Sequence, residues 1–141
     1  MTNDDFAQKL VLLPEGLAEE NIQSWQRAMR VYQLFVSDHA HSEFKYLLDL
    51  VESVLQLEDA KLFRVYPDKD LLILSTTTKE DRDYGDFFIV VGLRDEDTTD
   101  IGCYTPKESV ESVICKSSEI FPTLEPFLDR LWNETRGKKN A

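Results

Sequence analysis

Three apolar segments separated by charged turns occupy the middle of the chain. They are Leu62-Phe63-Arg64-Val65-Tyr66, Leu71-Leu72-Ile73-Leu74 and Phe87-Phe88-Ile89-Val90-Val91-Gly92-Leu93. Each has the length of a strand. Pro67-Asp68-Lys69-Asp70 joins the first two; its proline presets a turn-like φ and its aspartates bond their own backbone, so the spacing predicts an antiparallel hairpin. The second connection, 77–86, carries Lys79-Glu80-Asp81-Arg82-Asp83 before Tyr84-Gly85 and reads as a solvated loop returning into the sheet. The second and third segments are apolar at nearly every position, which predicts cover on both faces, from the chain's own helices or from a second copy.

Helical spacing flanks this meander. Ala18, Ile22, Trp25, Met29, Tyr32 and Val36 recur at steps of three and four, with Glu19 and Glu20 in the first turn, and predict an amphipathic helix over 17–37. One such helix is too short for a coiled-coil seam, so it is expected to pack within the fold. Ser42-Glu43-Phe44-Lys45 reads as the start of a second helix, whose face holds Phe44, Leu47, Leu48, Val51, Val54 and Leu55. Residues 1–16 are expected to form a short helix or a loosely ordered arm, ending at Pro14-Glu15-Gly16.

After the third strand, Ile101-Gly102-Cys103-Tyr104-Thr105 reads as a fourth, edge strand. Thr105-Pro106-Lys107-Glu108 resembles a capping box, so a helix through about 116 is preferred to the strand that Val110, Val113 and Ile114 would also allow. A C-terminal helix is expected from Pro122 to about Thr135, with Leu124, Phe127, Leu128, Leu131 and Trp132 on its apolar face, followed by a flexible tail over 137–141. The expected fold is a single α+β domain: an N-terminal αα-hairpin, a three- to four-stranded antiparallel meander sheet, and one or two C-terminal helices.

Charge narrows the partners. The 141 residues carry a net charge of −11, which argues against nucleic acid, because phosphate binding needs a basic face. Residues 1–60 hold 11 acids and 4 bases, 61–105 hold 10 and 6, and 106–141 hold 6 and 6, so the excess lies on the first helices and the sheet loops. No apolar run approaches about 20 residues, and the first residues are acidic where a secretory signal is basic. A cytoplasmic chain with no membrane association is the expectation, and Cys103 and Cys115 are then expected as reduced thiols.

Catalytic motifs are absent: there is no Gly-rich phosphate loop, no GxSxG and no HExxH. Asp38-His39-Ala40-His41 lacks the i, i+4 histidine spacing of a helical metal site. Arg94-Asp95-Glu96-Asp97-Thr98-Thr99-Asp100 lacks the calcium-loop pattern and reads as a turn. Neither a metal nor a cofactor is expected, and the chain is read as a non-enzyme.

Two functions remain. The first is a non-catalytic acidic protein-binding domain, of inhibitor, immunity, chaperone or adaptor type, which engages a basic protein through acidic loops and exposed aromatics. Its candidate residues are Asp81, Asp83, Asp95, Glu96 and Asp97 together with Tyr66, Tyr84 and Tyr104, which fall near strand ends. The alternative is a small-ligand or enzymatic domain with a pocket between the sheet and a helix near Arg64, a cation set inside an apolar strand. Sheet segments covered on both faces also suggest a homodimer.

Overall fold

The computed structural model describes residues 3–37, 43–77 and 84–137. Three helices come first: α1 (Asn3–Val11), α2 (Leu17–Ser37) and α3 (Lys45–Leu55). A turn of 3-10 helix at Glu58–Lys61 then feeds five strands, β1 (Arg64–Asp68), β2 (Leu71–Ser75), β3 (Phe88–Leu93), β4 (Thr98–Tyr104) and β5 (Ser109–Lys116). A second 3-10 turn, Ser117–Glu119, leads into α4 (Ile120–Trp132), which passes into a wider turn at Asn133–Gly137. The strands form one antiparallel sheet in the order β1-β2-β3-β4-β5, so the α+β class and the meander of the sequence reading are present, with five strands in place of three or four.

Residue 62 onward enters the sheet two positions later than expected. Leu62 and Phe63 are fully buried ahead of β1, and Pro67 lies inside the strand. The reversal instead uses Lys69 and Asp70, with Asp68 opposite Leu71 and Lys69 at φ 56°. Two-residue hairpin turns need such a positive φ to match strand twist.

The larger correction is β5. Where a helix is expected over 106–116 the chain makes a turn and the strand Ser109–Lys116, and Ile101 to Tyr104 belong to a strand with neighbours on both sides, not to an edge. Thr105 Oγ1 does accept from the amides of Lys107 and Glu108, as a helix cap would, at 3.4 and 3.3 Å. Yet the Thr105 amide donates to the Glu108 carbonyl at 2.9 Å, which closes a hairpin turn. A threonine hydroxyl serves either motif. Val110, Val113 and Ile114 then decide it, because β-branched side chains lose little on a pleated strand next to β4.

Alternation sorts the sheet into two faces. On the inner face Val65, Leu72, Leu74, Ile89, Val91, Ile101 and Cys103 are buried in one core with Trp25, Tyr32, Leu47, Val51, Leu124, Leu128 and Leu131 from α2, α3 and α4. Burying each such leucine or valine is worth about 1.5–3 kcal/mol, far more than the surface ion pairs. Helix α1 rests on this assembly through Lys9, which stands over the Trp132 ring at 5.5 Å and 3.9 Å from Asp129. Helix α4 begins at Ile120, two residues before Pro122, and contains Pro126. Among the described residues no helix is long and apolar enough to cross a membrane.

Candidate functional site

Register places the outer face row by row. Arg64 is opposite Ser75 on β2, and Phe88 on β3 is opposite Tyr104 on β4. The next row holds Tyr66, Ile73, Val90 and Gly102, and the row beyond it holds Asp68, Leu71, Gly92, Asp100 and Ile114. The outer face therefore runs from aromatic at one end, through apolar, to acidic at the other.

At the aromatic end four rings form a continuous row. Tyr66 and Tyr84 lie 5.1 Å apart, Tyr84 and Phe88 5.5 Å, and Phe88 and Tyr104 6.0 Å between centroids. These are the separations aromatic pairs prefer, each worth about 0.5–1.5 kcal/mol beyond simple burial. All four side chains are half-buried. Tyr84 comes from the β2–β3 connection and is held to the sheet by Ser75, whose hydroxyl donates to the Tyr84 carbonyl at 2.7 Å and accepts from the Thr77 amide at 3.0 Å.

Arg64 closes the row at β1, with its guanidinium carbon 5.6 Å from the Tyr66 centroid. It is buried, and Nη1 lies 3.9 Å from Glu20 Oε2 on α2. A second arginine approaches from the chain's C-terminal side: Arg136 Nη2 donates to the Thr76 carbonyl at 2.9 Å. Burial pulls the Arg136 pKa down, although a guanidinium stays charged at any ordinary pH.

The acidic end is built from turns. Asp95 Oδ1 accepts from the amides of Asp97 and Thr98, each at 2.9 Å. Those amide bonds, Asp97 first, hold the Asp95 carboxyl below its usual range. Its lone pairs are thus turned toward its own backbone, while Glu96 and Asp97 are exposed. Asp68 and Asp70 belong to the β1–β2 turn at the same end of the sheet.

The structure therefore brings Arg64, Tyr66, Tyr84 and Tyr104 together and puts Asp95, Glu96 and Asp97 at the opposite end of the strands. Asp81 and Asp83 lie outside the described residues, as do His39 and His41. Sequence reasoning missed Phe88 as a member of the row and Glu20 as the acid facing Arg64. Phe88 was legible in part: it is the second residue of the third apolar segment, and alternation sets it on the face opposite the buried Ile89.

The thiols stand apart from this face. Cys103 and Cys115 both lie on the inner face, opposite Glu111 and Thr99 respectively. Four residues of strand separate their rows, about 13 Å, too far for a disulfide. Burial raises both thiol pKa values, which works against the thiolate form that nucleophiles and metal ligands need.

No family model matches the chain, and neither does any curated protein or solved structure.

Proposed function

We propose that the chain is a non-catalytic protein-binding domain that meets a basic partner across the outer face of its sheet. The row of Tyr66, Tyr84, Phe88 and Tyr104 carries this reading. The helices' apolar residues share one core with the inner-face strand residues, while these rings stand half-buried on the other side. Large, stiff aromatic surfaces of this kind supply affinity at low entropic cost. Asp68, Asp100 and the exposed Glu96 and Asp97 at the far end supply the attraction that speeds encounter with a cationic surface.

The alternative of a small-anion site at Arg64 draws less support, because the buried guanidinium faces Glu20 and lies over Tyr66. An arginine so placed ties α2 to β1 on the outer side.

Affinity capture from the organism's own extract tests the reading. A basic protein is expected at low salt, released as salt rises, and weakened about tenfold or more by Tyr104→Ala, a truncation typical of interface aromatics. Glu96→Lys combined with Asp97→Lys should slow its association. A partner that binds Tyr104→Ala and Tyr84→Ala as well as it binds the natural chain would overturn the outer face as the interface.

A further inference from the structure

The two edges of the sheet are treated differently. Along β1, whose amides at odd positions point away from β2, Ser24 of α2 accepts from the Val65 amide at 3.0 Å and Trp25 donates to the Phe63 carbonyl at 2.8 Å. Pro67 has no amide to satisfy, so this edge is closed. At the other edge, the Ser117 amide donates to the Asp97 carbonyl at 2.7 Å. With Lys116 opposite Thr98, that bond fixes the phase of the ladder. Residues 113 and 115 direct their backbone groups to β4, and Ser112, Ile114 and Lys116 direct theirs outward. No strand lies beyond β5 among the described residues.

We propose that β5 pairs antiparallel with β5 of a second copy, about a two-fold axis, to join two five-stranded sheets into one of ten strands. This goes beyond the basic-partner reading and uses a different surface. Three observations point to a second copy as the occupant. First, β5 contains no proline, and its bulge falls near its start, opposite Cys103 and Tyr104, leaving 111–116 regular. Of the charges that can guard an edge, the inward Glu111 is tied to Arg130 and Lys116 stands at the strand's last position. Ile114 is 55% exposed and Val110 41%, so apolar surface borders the open backbone.

Second, charge does not oppose self-association here. The chain as a whole carries −11, yet residues 106–141 hold six acids and six bases. Within β5 the charged residues are Glu111 and Lys116, and Glu111 is tied inward to Arg130 at 2.6 Å. Among the described residues Lys116 has no ion-pair partner, which gives a basic partner strand nothing to seek, whereas two copies would meet through the segment in which acids and bases balance.

Third, the symmetry is consistent with the chemistry. A two-fold axis normal to the sheet keeps each residue on its own face, so with Ile114 opposite itself the two exposed isoleucines meet on the outer face. Opposed residues in such a pair have equal parity, which matches the outward-facing set of Ser112, Ile114 and Lys116 to itself.

Light scattering and sedimentation on the full chain, over a wide concentration range, test this. The natural chain should show the mass of two copies. Ile114→Pro removes an outward amide that β4 does not use, and the axis counts the loss twice, so dimer dissociation should strengthen by about ten- to a hundredfold. Ile114→Lys should act in the same direction, and both variants should keep the circular dichroism of the natural fold because the residue is exposed. Amide exchange at Ile114 should slow in the dimer. A natural chain that stays monomeric at high concentration overturns the proposal. So does a dimer that Ile114→Pro and Ile114→Lys leave intact, or one in which the Ile114 amide exchanges as fast as in dilute solution.

Discussion

Ser24 on α2 accepts the Val65 amide of β1 at 3.0 Å while donating to the Asn21 carbonyl at 2.6 Å, so one helix hydroxyl stands where a sixth strand's carbonyl would be. Both residues are buried, and water has no ready access to replace the bond. Ser24→Ala should leave the Val65 amide unsatisfied and cost about 1–3 kcal/mol in urea unfolding. A loss under about 0.5 kcal/mol would mean that α2 closes this edge by packing alone.

Tyr32 makes the same helix pH-sensitive at the alkaline side. It is fully buried, and its hydroxyl donates to the Leu71 carbonyl at 3.1 Å. Burial, with Asp68 and Asp70 nearby, raises its pKa well above 10.0. The folded state therefore holds a proton that the unfolded chain releases, and stability should be unaffected below pH 10 but fall as pH rises above it. Tyr32→Phe should cost about 1 kcal/mol at neutral pH and flatten that alkaline fall. Equal alkaline slopes in the two proteins would show that other groups cause it.

Much of this fold is readable from spacing. The period of α2 was set by Ala18, Ile22, Trp25, Met29, Tyr32 and Val36, of which Trp25 and Tyr32 have no exposed surface, and the meander by runs whose inner halves are Leu72, Leu74, Ile89 and Val91. The segment after Tyr104 was not readable, because Thr105 makes the same hydroxyl–amide bonds in a hairpin turn as in a helix cap. What separates the two is a partner strand, and a partner is a tertiary fact. The aromatic row was half readable for the same reason. Tyrosines near strand ends are visible in sequence, but that Tyr84 turns back under Ser75 to bridge Tyr66 and Phe88 depends on the path of the β2–β3 connection.

Asp95 gives an acid-side counterpart. Its carboxylate accepts the Asp97 and Thr98 amides, and these bonds lower its pKa from the ordinary 3.8. A depressed folded pKa contributes stability that is present above the unfolded value and is lost as pH falls through the folded one. Asp95→Asn keeps one carbonyl acceptor and removes the titration. The stability difference between the natural chain and this variant should thus shrink as pH drops below about 4. A difference that stays constant down to pH 2 would show that the turn does not depend on the charge.

Gly92 and Gly102 sit on the outer face of neighbouring strands and should respond differently to a methyl group. A Cβ at Gly92 would come 2.9 Å from Leu71 Cδ2, the far end of an exposed side chain that can swing away. At Gly102 the Cβ would meet the Glu111 carbonyl at 3.1 Å and Ser112 Cβ at 3.1 Å, both fixed by the β4–β5 ladder, as well as the Tyr104 ring at 3.0 Å. Backbone cannot rotate out of the way. Gly92→Ala should be neutral or stabilise by up to about 1 kcal/mol, through lost freedom in the unfolded chain. Gly102→Ala should destabilise by about 1–3 kcal/mol, as overpacking does, and because the strain falls between β4 and β5 it should also speed amide exchange along β5. Equal thermal shifts for the two variants would mean that the β4–β5 pair yields as easily as the Leu71 side chain.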